Sequence, residues 1–511
     1  MMPGRPSVLL TTEGTYPFHK GGVSTWCDVL TRQLPEYDFT LCAVTMHPYL
    51  TMQYALAPHV NVLQVPLWGI EQPCEYALRF SLSHFVQARW DSTEEVITTQ
   101  FVPLFDRFLS IVLGESSDGD ICILGNTLSA MHAFFEQYDY QVTVTSRPVW
   151  RCFHQRVAVN WPNWPEGGRG TIDELTEALR LLFRFLQVLQ FPVLPTTLSH
   201  STAAAFCGLP CIIAKLKFGT PFLLTEHGVY LREQYLNLRR YVHSAVVRGF
   251  LHRLCAAVAR ANYLFADQIS PVCAYNVRWE RWWGADLSRV RVIYNGCDPA
   301  RFRPEDRPGP QPRVVVCMGL LFPLKGQRQL IETAKVVKAT HPDVQFRLYG
   351  QVSDQEYFSE CELAVRTLHL EDTVIFAGST SEPWHIYNDA TVVASASLSE
   401  GHPYAIIEAM LCGRPIVATS VGGVAEALRD CGVLVQANCP GEMAAAITNL
   451  LEAPAERARL GQAARARALQ HFTQDIFVAE YRESYQRLGQ LSGYNMPQLA
   501  AGNSARSVHA T

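Results

Sequence analysis

The stretch SASLSEGHPYAIIEAMLCGRPIVATSVGG (395–423) decides how this chain is read. A β-rich run, Val392–Ala396, ends in the loop SEGHP, and Pro403 stands where a first-turn proline is favoured. Ile406, Ile407, Met410 and Leu411 then recur at helical spacing. A second short strand, Ile416–Thr419, enters the turn TSVGG. Strand, loop, helix and strand in this order form the repeating unit of a parallel sheet. The unpaired amides at the start of the helix make an anion site. Glu400 lies in the loop and Glu408 inside the helix, so two carboxylates from different elements can bracket one ligand. Carboxylates suit sugar and ribose hydroxyls because they accept paired hydrogen bonds. Alone, the pair also reads as a helix cap and a solvated glutamate. The proline start and the Gly-Gly strand end favour a ligand.

Outward from this segment, Val314–Met318, Val344–Tyr349 and Val374–Ala377 read as further strands alternating with helical patterns. DPARFRPEDRPGPQPR (298–313) is dense in Pro and Arg and is the linker candidate. Before it the same grammar appears. Val8–Thr11 is a strand entering EGTYPFHKGG, and a helix follows with Val23, Trp26, Cys27, Leu30 and Leu34 on one face. Phe39–Val44, Val60–Val65, Asp120–Leu124 and Phe222–Thr225 read as strands. Residues 71–175 read as helical insertions with a mobile loop at NWPNWPEGGRG, and 231–265 as one long Arg-bearing helical stretch. The fold class expected is α/β, two Rossmann-like domains facing across a cleft. The domains run over 1–297 and 314–471, with a C-terminal helix at 472–491 packing back on the first domain and a disordered tail at 492–511.

At 511 residues with 48% hydrophobic and 18% charged residues, the chain can bury large cores. Lys and Arg total 43 against 47 Asp and Glu, and the net charge of −4 excludes the overall basic balance of many nucleic-acid binders. The 15 cysteines are scattered without a CxxC pair, which points to free thiols in a reducing cytoplasm. The apolar run at the N-terminus is too short for a signal-peptide core. The uncharged span 185–214 carries three prolines and many polar side chains, which suits a soluble domain better than a membrane helix. No metal-ligand spacing stands out.

SEGHPYAIIEAM resembles the E-x7-E signature of the retaining family 4 glycosyltransferases of the GT-B fold, and VIYNGCDPARFRP (292–304) resembles that family's interdomain segment. GTYPFHKGGVSTW (14–26) and LLTEHGVYLRE (223–233) are similar to the PelF-type enzymes of Pel exopolysaccharide synthesis. The resemblance implies transfer of a hexose from a nucleoside diphosphate sugar, UDP-linked in the first instance, to a growing glycan, with no cofactor and no metal. It implies that Glu408 holds the donor ribose, that Glu400 contacts the transferred sugar, and that the backbone at Gly401, His402 and Tyr404 faces the sugar or diphosphate. Lys325 neutralises the diphosphate, Gly21 and Gly22 let backbone approach the phosphates, and Gly378 lies near the base. His227 faces the donor sugar; read alone it is more often a structural histidine. A membrane polysaccharide-synthesis complex, met peripherally from the cytoplasm, is the implied partner.

One position departs from the pattern. The family carries an arginine five residues before the lysine; here it is Leu320, which cannot make a guanidinium's bidentate phosphate contact. Arg328 is one candidate substitute, and His19 and Lys20 beside Gly21 are further sources of positive charge, or a solvated turn. The departure keeps open a non-catalytic sugar-nucleotide binder or a sugar-nucleotide epimerase of the same architecture. His200 reads either as a cleft residue or as a core histidine.

Overall fold

The computed structural model describes residues 5–68, 81–114, 117–159, 170–305 and 312–491. Among the described residues there are twelve strands, most of them built on buried Val, Leu and Ile: β1 (Ser7–Thr12), β2 (Asp38–Thr45), β3 (Val60–Pro66), β4 (Leu198–Ser201), β5 (Phe222–Glu226), β6 (Gln268–Pro271), β7 (Val314–Met318), β8 (Gln345–Tyr349), β9 (Val374–Gly378), β10 (Val392–Ser395), β11 (Ile416–Thr419) and β12 (Val433–Val435). They make two six-stranded sheets, ordered β3-β2-β1-β4-β5-β6 and β12-β11-β10-β7-β8-β9. Every pairing is parallel. Numbered within its own half, each sheet has the order 3-2-1-4-5-6 of the dinucleotide-binding fold. The expected α/β architecture, two Rossmann-like domains, is therefore present, with one such sheet in each half. In such a sheet the strand order reverses between the first and fourth strands, and ligands sit in the crevice opened at their carboxyl ends. Here those crevices lie between β1 and β4 and between β7 and β10.

Asp120–Leu124, expected as a strand, is helix. Ser117 and Asp120 form a reciprocal capping box that starts the 18-residue helix Asp118–Phe135. Of the apolar run Ile-Cys-Ile-Leu, Ile121 and Leu124 face inward while Cys122 and Ile123 are exposed, a case where a short apolar run does not separate strand from helix. The stretch 231–265 is two helices, Tyr230–Tyr241 and Ala245–Phe265, and Ser244 caps the second through the Val247 amide at 3.2 Å. β4, β6 and β12 are short strands that the sequence reading did not list. The described part of 71–175 is helical, and the helices Val102–Leu113, Asp118–Phe135 and Ile172–Leu186 share one core with Ala245–Phe265. Among the described residues, one helical stretch, Glu94–Leu113, is long and apolar enough to cross a membrane by length and composition. Its Phe101, Phe105, Phe108 and Leu109 are buried in that core. Most of NWPNWPEGGRG, part of the 298–313 segment and the 492–511 tail lie outside the described residues. None of the described cysteines forms a disulfide.

The helix Gln474–Leu491 packs on the first sheet rather than the second. Phe477, Tyr481, Tyr485 and Leu488 join Trp26, Leu30, Tyr37 and Phe39 in one core. The Tyr485 hydroxyl lies 2.8 Å from His200 Nδ1, and His200 Nε2 lies 2.8 Å from the Thr225 hydroxyl. His200 is thus a fully buried core residue and not part of the cleft. The chain passes between the domains at two adjacent points, which are tied together. Cys297 N–H donates to the Phe472 carbonyl at 3.0 Å, and Gln474 N–H donates to the Cys297 carbonyl at 2.8 Å.

Candidate active site in the interdomain cleft

Lys325 leaves the β7 exit and Glu400 leaves the β10 exit, so they stand on opposite sides of the second sheet's crevice. Their side chains meet at 2.5 Å. The Ser397 hydroxyl donates to the same Glu400 oxygen at 2.7 Å. Gly326 lets the β7 exit approach this loop: its φ is +66°, and a Cβ there would lie 2.1 Å from the Ala396 carbonyl oxygen. Glu408 sits on the helix Tyr404–Leu411, where its Oε2 accepts from the buried Tyr387 hydroxyl at 2.8 Å. Burial pushes the Glu408 carboxyl up to about 7, against the pull of Tyr387 and Arg301. The first intrahelical bond there is Ile406 N–H to the Pro403 carbonyl at 3.2 Å, so the Tyr404 and Ala405 amides precede the ladder.

The first domain faces this arrangement closely. A Cβ on Gly401 would lie 1.9 Å from the His227 carbonyl oxygen. The His227 ring packs edge-on to Trp26 at 5.0 Å, and its Nε2 has no hydrogen-bond partner among the described residues. Burial pushes its pKa down to about 3, so the ring is neutral. Gly22 opens the helix Gly22–Gln33 with a Cβ position 3.6 Å from the Tyr404 ring, whereas a Cβ on Gly21 would meet nothing within 4 Å. Gly21 is extended and its Cβ position open, so the fold itself does not require glycine there. Gly378 ends β9 with φ +70° and open space beside it. The His402 side chain turns away from the cleft. It is 3% exposed, its Nδ1 accepts from the Asn295 amide at 3.2 Å, and its ring packs on Phe472 and Tyr294 at the crossing between domains. Arg328, considered above as a substitute for the missing arginine, lies along its own helix 3.7 Å from Glu332 and is half-exposed.

Three groups in the cleft were not found from sequence. Glu13, just past β1, and Glu233, on the helix Tyr230–Tyr241, keep water-accessible side chains. The cleft walls nonetheless remove enough bulk water to push both carboxyls up to about 7, and Glu233 also feels Glu400. Arg232 reaches across to the Ser399 hydroxyl. Glu13 follows a strand directly and could have been flagged by that position; Glu233 carries no local signal. Below them, Glu226 and Glu280 face each other fully buried, and Glu226 also accepts from the Tyr263 hydroxyl at 2.7 Å. Burial raises both carboxyls, and the charge of Glu226 raises Glu280 further, so at least one keeps its proton.

The domains are clasped around the cleft. The Ala274 and Tyr275 amides, which open a first-domain helix, donate to the Glu426 carboxylate of the second domain at 3.1 and 3.2 Å. Arg240 pairs with Asp354 at 3.1 Å.

Comparison with known proteins bears on both halves. Residues 6–288, more than half of the chain, match the family described as "Domain of unknown function (DUF3492)". The chain belongs to the DUF3492 family. Residues 300–467 match "Glycosyl transferases group 1", which covers the second sheet with Lys325, Glu400 and Glu408. The DUF3492 chain is 32% identical over 218 residues to a D-inositol 3-phosphate glycosyltransferase of Segniliparus rotundus, covering 40% of this chain and 49% of that protein. It is 35% identical over 205 residues to one of Acidothermus cellulolyticus, covering 37% and 46%. The chain thus spans about half the length of the curated relatives it matches. Among solved structures, sucrose-phosphate synthase of Thermosynechococcus elongatus superposes with a TM-score of 0.61 at 17% identity, covering 95% of this chain and 99% of that one. Anabaena HepE in complex with UDP superposes with a TM-score of 0.56 at 16% identity, covering 94% and 100%. At these identities the likeness concerns the fold, and that fold is GT-B.

Proposed function

We propose that this chain is a retaining, metal-independent hexosyltransferase that uses a nucleoside diphosphate sugar, UDP-linked in the first instance, and extends an exopolysaccharide or other glycan. The observation that carries the reading is the Lys325–Glu400 pair at 2.5 Å across the switch-point crevice, where an ammonium stands ready for an anion. The open space beside Gly21 and the unladdered amides at Tyr404 support it. So does HepE, whose crystals hold UDP and, in another form, UDP-glucose. A diphosphate arriving at Lys325 takes over its charge and releases Glu400 to accept from sugar hydroxyls. Glu408 accepts from the ribose. His227, neutral and with a free ring nitrogen, hydrogen-bonds the sugar from the other domain. As the glycosidic bond breaks, Lys325 stabilises the charge gathering on the leaving phosphate.

Retention by double displacement needs an ionised carboxylate beneath the sugar. Glu400, assigned here to the sugar's hydroxyls, does not take that place. Front-face displacement assisted by the leaving phosphate fits this assignment better. The donor is a substrate and no cofactor is required. The partners we assign are the glycan acceptor and a membrane polysaccharide-synthesis complex contacted from the cytoplasm. The PelF-type resemblance supports this assignment.

Release of free nucleotide from UDP-, GDP- and ADP-sugars is the test. Glu408→Ala and Lys325→Ala should each abolish it while the protein stays folded, and wild-type release in both would sink the proposal. Leu320 favours a second reading, a non-catalytic binder, which calorimetric binding of UDP with no turnover of any donor would select.

A further inference from the structure

A cavity of about 580 Å³ lies between the two domains. Lys325 is not in its lining, but the Lys325 stem runs beside Leu320's neighbour Gly319, 3.7 Å from where a Cβ would stand. The cavity's second-domain wall includes Leu320, Gln351 and Ser353, and its first-domain wall includes Phe18, His19 and Lys20. The Leu320 backbone is fixed on both sides. Gln327 Nε2 donates to the Leu320 carbonyl at 2.8 Å, and the Leu321 N–H donates to the Gln351 carbonyl at 2.9 Å. None of the described residues lining the cavity is acidic, and its cationic groups are Lys20 and, when protonated, His19. Lys20 is exposed and has no carboxylate within ion-pair distance among the described residues. Its neighbour Gly21 begins the segment that reaches the Tyr404 ring through Gly22. Arg328 is engaged along its own helix, outside the cavity lining.

We infer that Lys20 supplies, from the first domain, the second cation for the donor diphosphate that the second domain lacks at Leu320. The inference rests on the sugar-nucleotide reading and adds a consequence to it. With Lys325 beside the Leu320 wall in the second domain and Lys20 on the first-domain wall, the diphosphate itself bridges the domains, so a full phosphate site exists only when the cleft is closed. An ammonium on a flexible stem can neutralise a phosphate as a point charge, without the bidentate geometry an arginine at 320 would impose.

The experiment is calorimetric titration of the whole chain with UDP, GDP, ADP and the matching monophosphates. For the base that binds best, Lys20→Ala should weaken the diphosphate about tenfold or more and the monophosphate much less. Leu320→Arg in the Lys20→Ala background should restore most of the loss, because the new guanidinium enters the same cavity. Lys335→Ala, which removes an exposed lysine on the helix Gln327–Thr340, controls for net charge and should change nothing. Melting temperatures should be unaffected, since Lys20 is exposed. If Lys325→Ala removes diphosphate binding while Lys20→Ala leaves it intact, the inference falls and the sugar-nucleotide reading stands. If Lys20→Ala weakens both nucleotides equally, or Leu320→Arg restores nothing, the inference also falls. If the unaltered chain binds no nucleoside diphosphate, both fall together.

Discussion

Replacing Gly401 by alanine tests whether closure of the two domains matters to the site. Gly401 does not have a positive φ, so its backbone accepts an alanine without strain. The obstacle is the other domain. The new methyl would sit 1.9 Å from the His227 carbonyl oxygen, 3.2 Å from its carbon and 3.3 Å from Val272 Cγ2. A relaxed carbon–oxygen contact is about 3.3 Å, so about 1.4 Å of overlap must be relieved. The atom in the way is main chain at the exit of β5 and cannot rotate aside, so the domains must separate there by roughly 1 Å. Misplacement of reacting groups by about 1 Å costs about a hundredfold in rate. We therefore expect kcat on the best donor to fall about a hundredfold, with the melting transition little changed because each domain keeps its own core. The assay is steady-state release of nucleotide, with thermal unfolding alongside. Gly441→Ala, where a methyl meets nothing within 4 Å, should be silent. Wild-type turnover in Gly401→Ala would refute the claim that contact between His227 and the 400–403 loop sets the working geometry.

Two further outcomes concern pH. Tyr387→Phe removes the hydroxyl that favours ionised Glu408, so a carboxyl already near 7 should rise further. Donor affinity measured by calorimetry should then gain its strength about one pH unit higher than in the wild type, and an unmoved profile would separate Glu408 from donor binding. The buried Glu226–Glu280 pair holds protons that the unfolded chain gives up in the ordinary carboxyl range, so the folded state binds more protons and stability falls as pH rises above about 5. Glu280→Gln keeps a donor toward Glu226 without a titrating group, and it should flatten the decline in melting temperature between about pH 6 and 9; an unchanged slope would show that the pair does not govern it.

Most of the framework was legible because strand, glycine turn and amphipathic helix recur with fixed spacing. The β10 exit could be read in detail: Pro403 marks the helix start, and Glu400 and Glu408 fall on opposite sides of it. Two kinds of feature were not legible. Asp118–Phe135 hid its helix behind a short apolar run that fits either periodicity, and only the Ser117–Asp120 cap distinguishes them. Glu233 and Arg232 meet Glu400 and Ser399 only after the domains come together, and no local pattern encodes an encounter between segments more than 160 residues apart. His402 shows the converse. The motif reads its backbone as a ligand contact, and its side chain, which that reading leaves aside, is buried against Phe472 and Asn295 as part of the joint between the domains.

That joint has two chain crossings, bonded through Cys297 to Phe472 and Gln474, and the last helix lies on the first domain. The first sheet's core therefore stays incomplete until residue 491 has been synthesised, although its strands end at Pro271. A ribosome releasing this chain delivers the Trp26 and His200 lid last. Expression of 1–297 alone would leave those side chains facing water, whereas a permuted chain that places 474–491 ahead of residue 5 would restore the domain as one continuous piece.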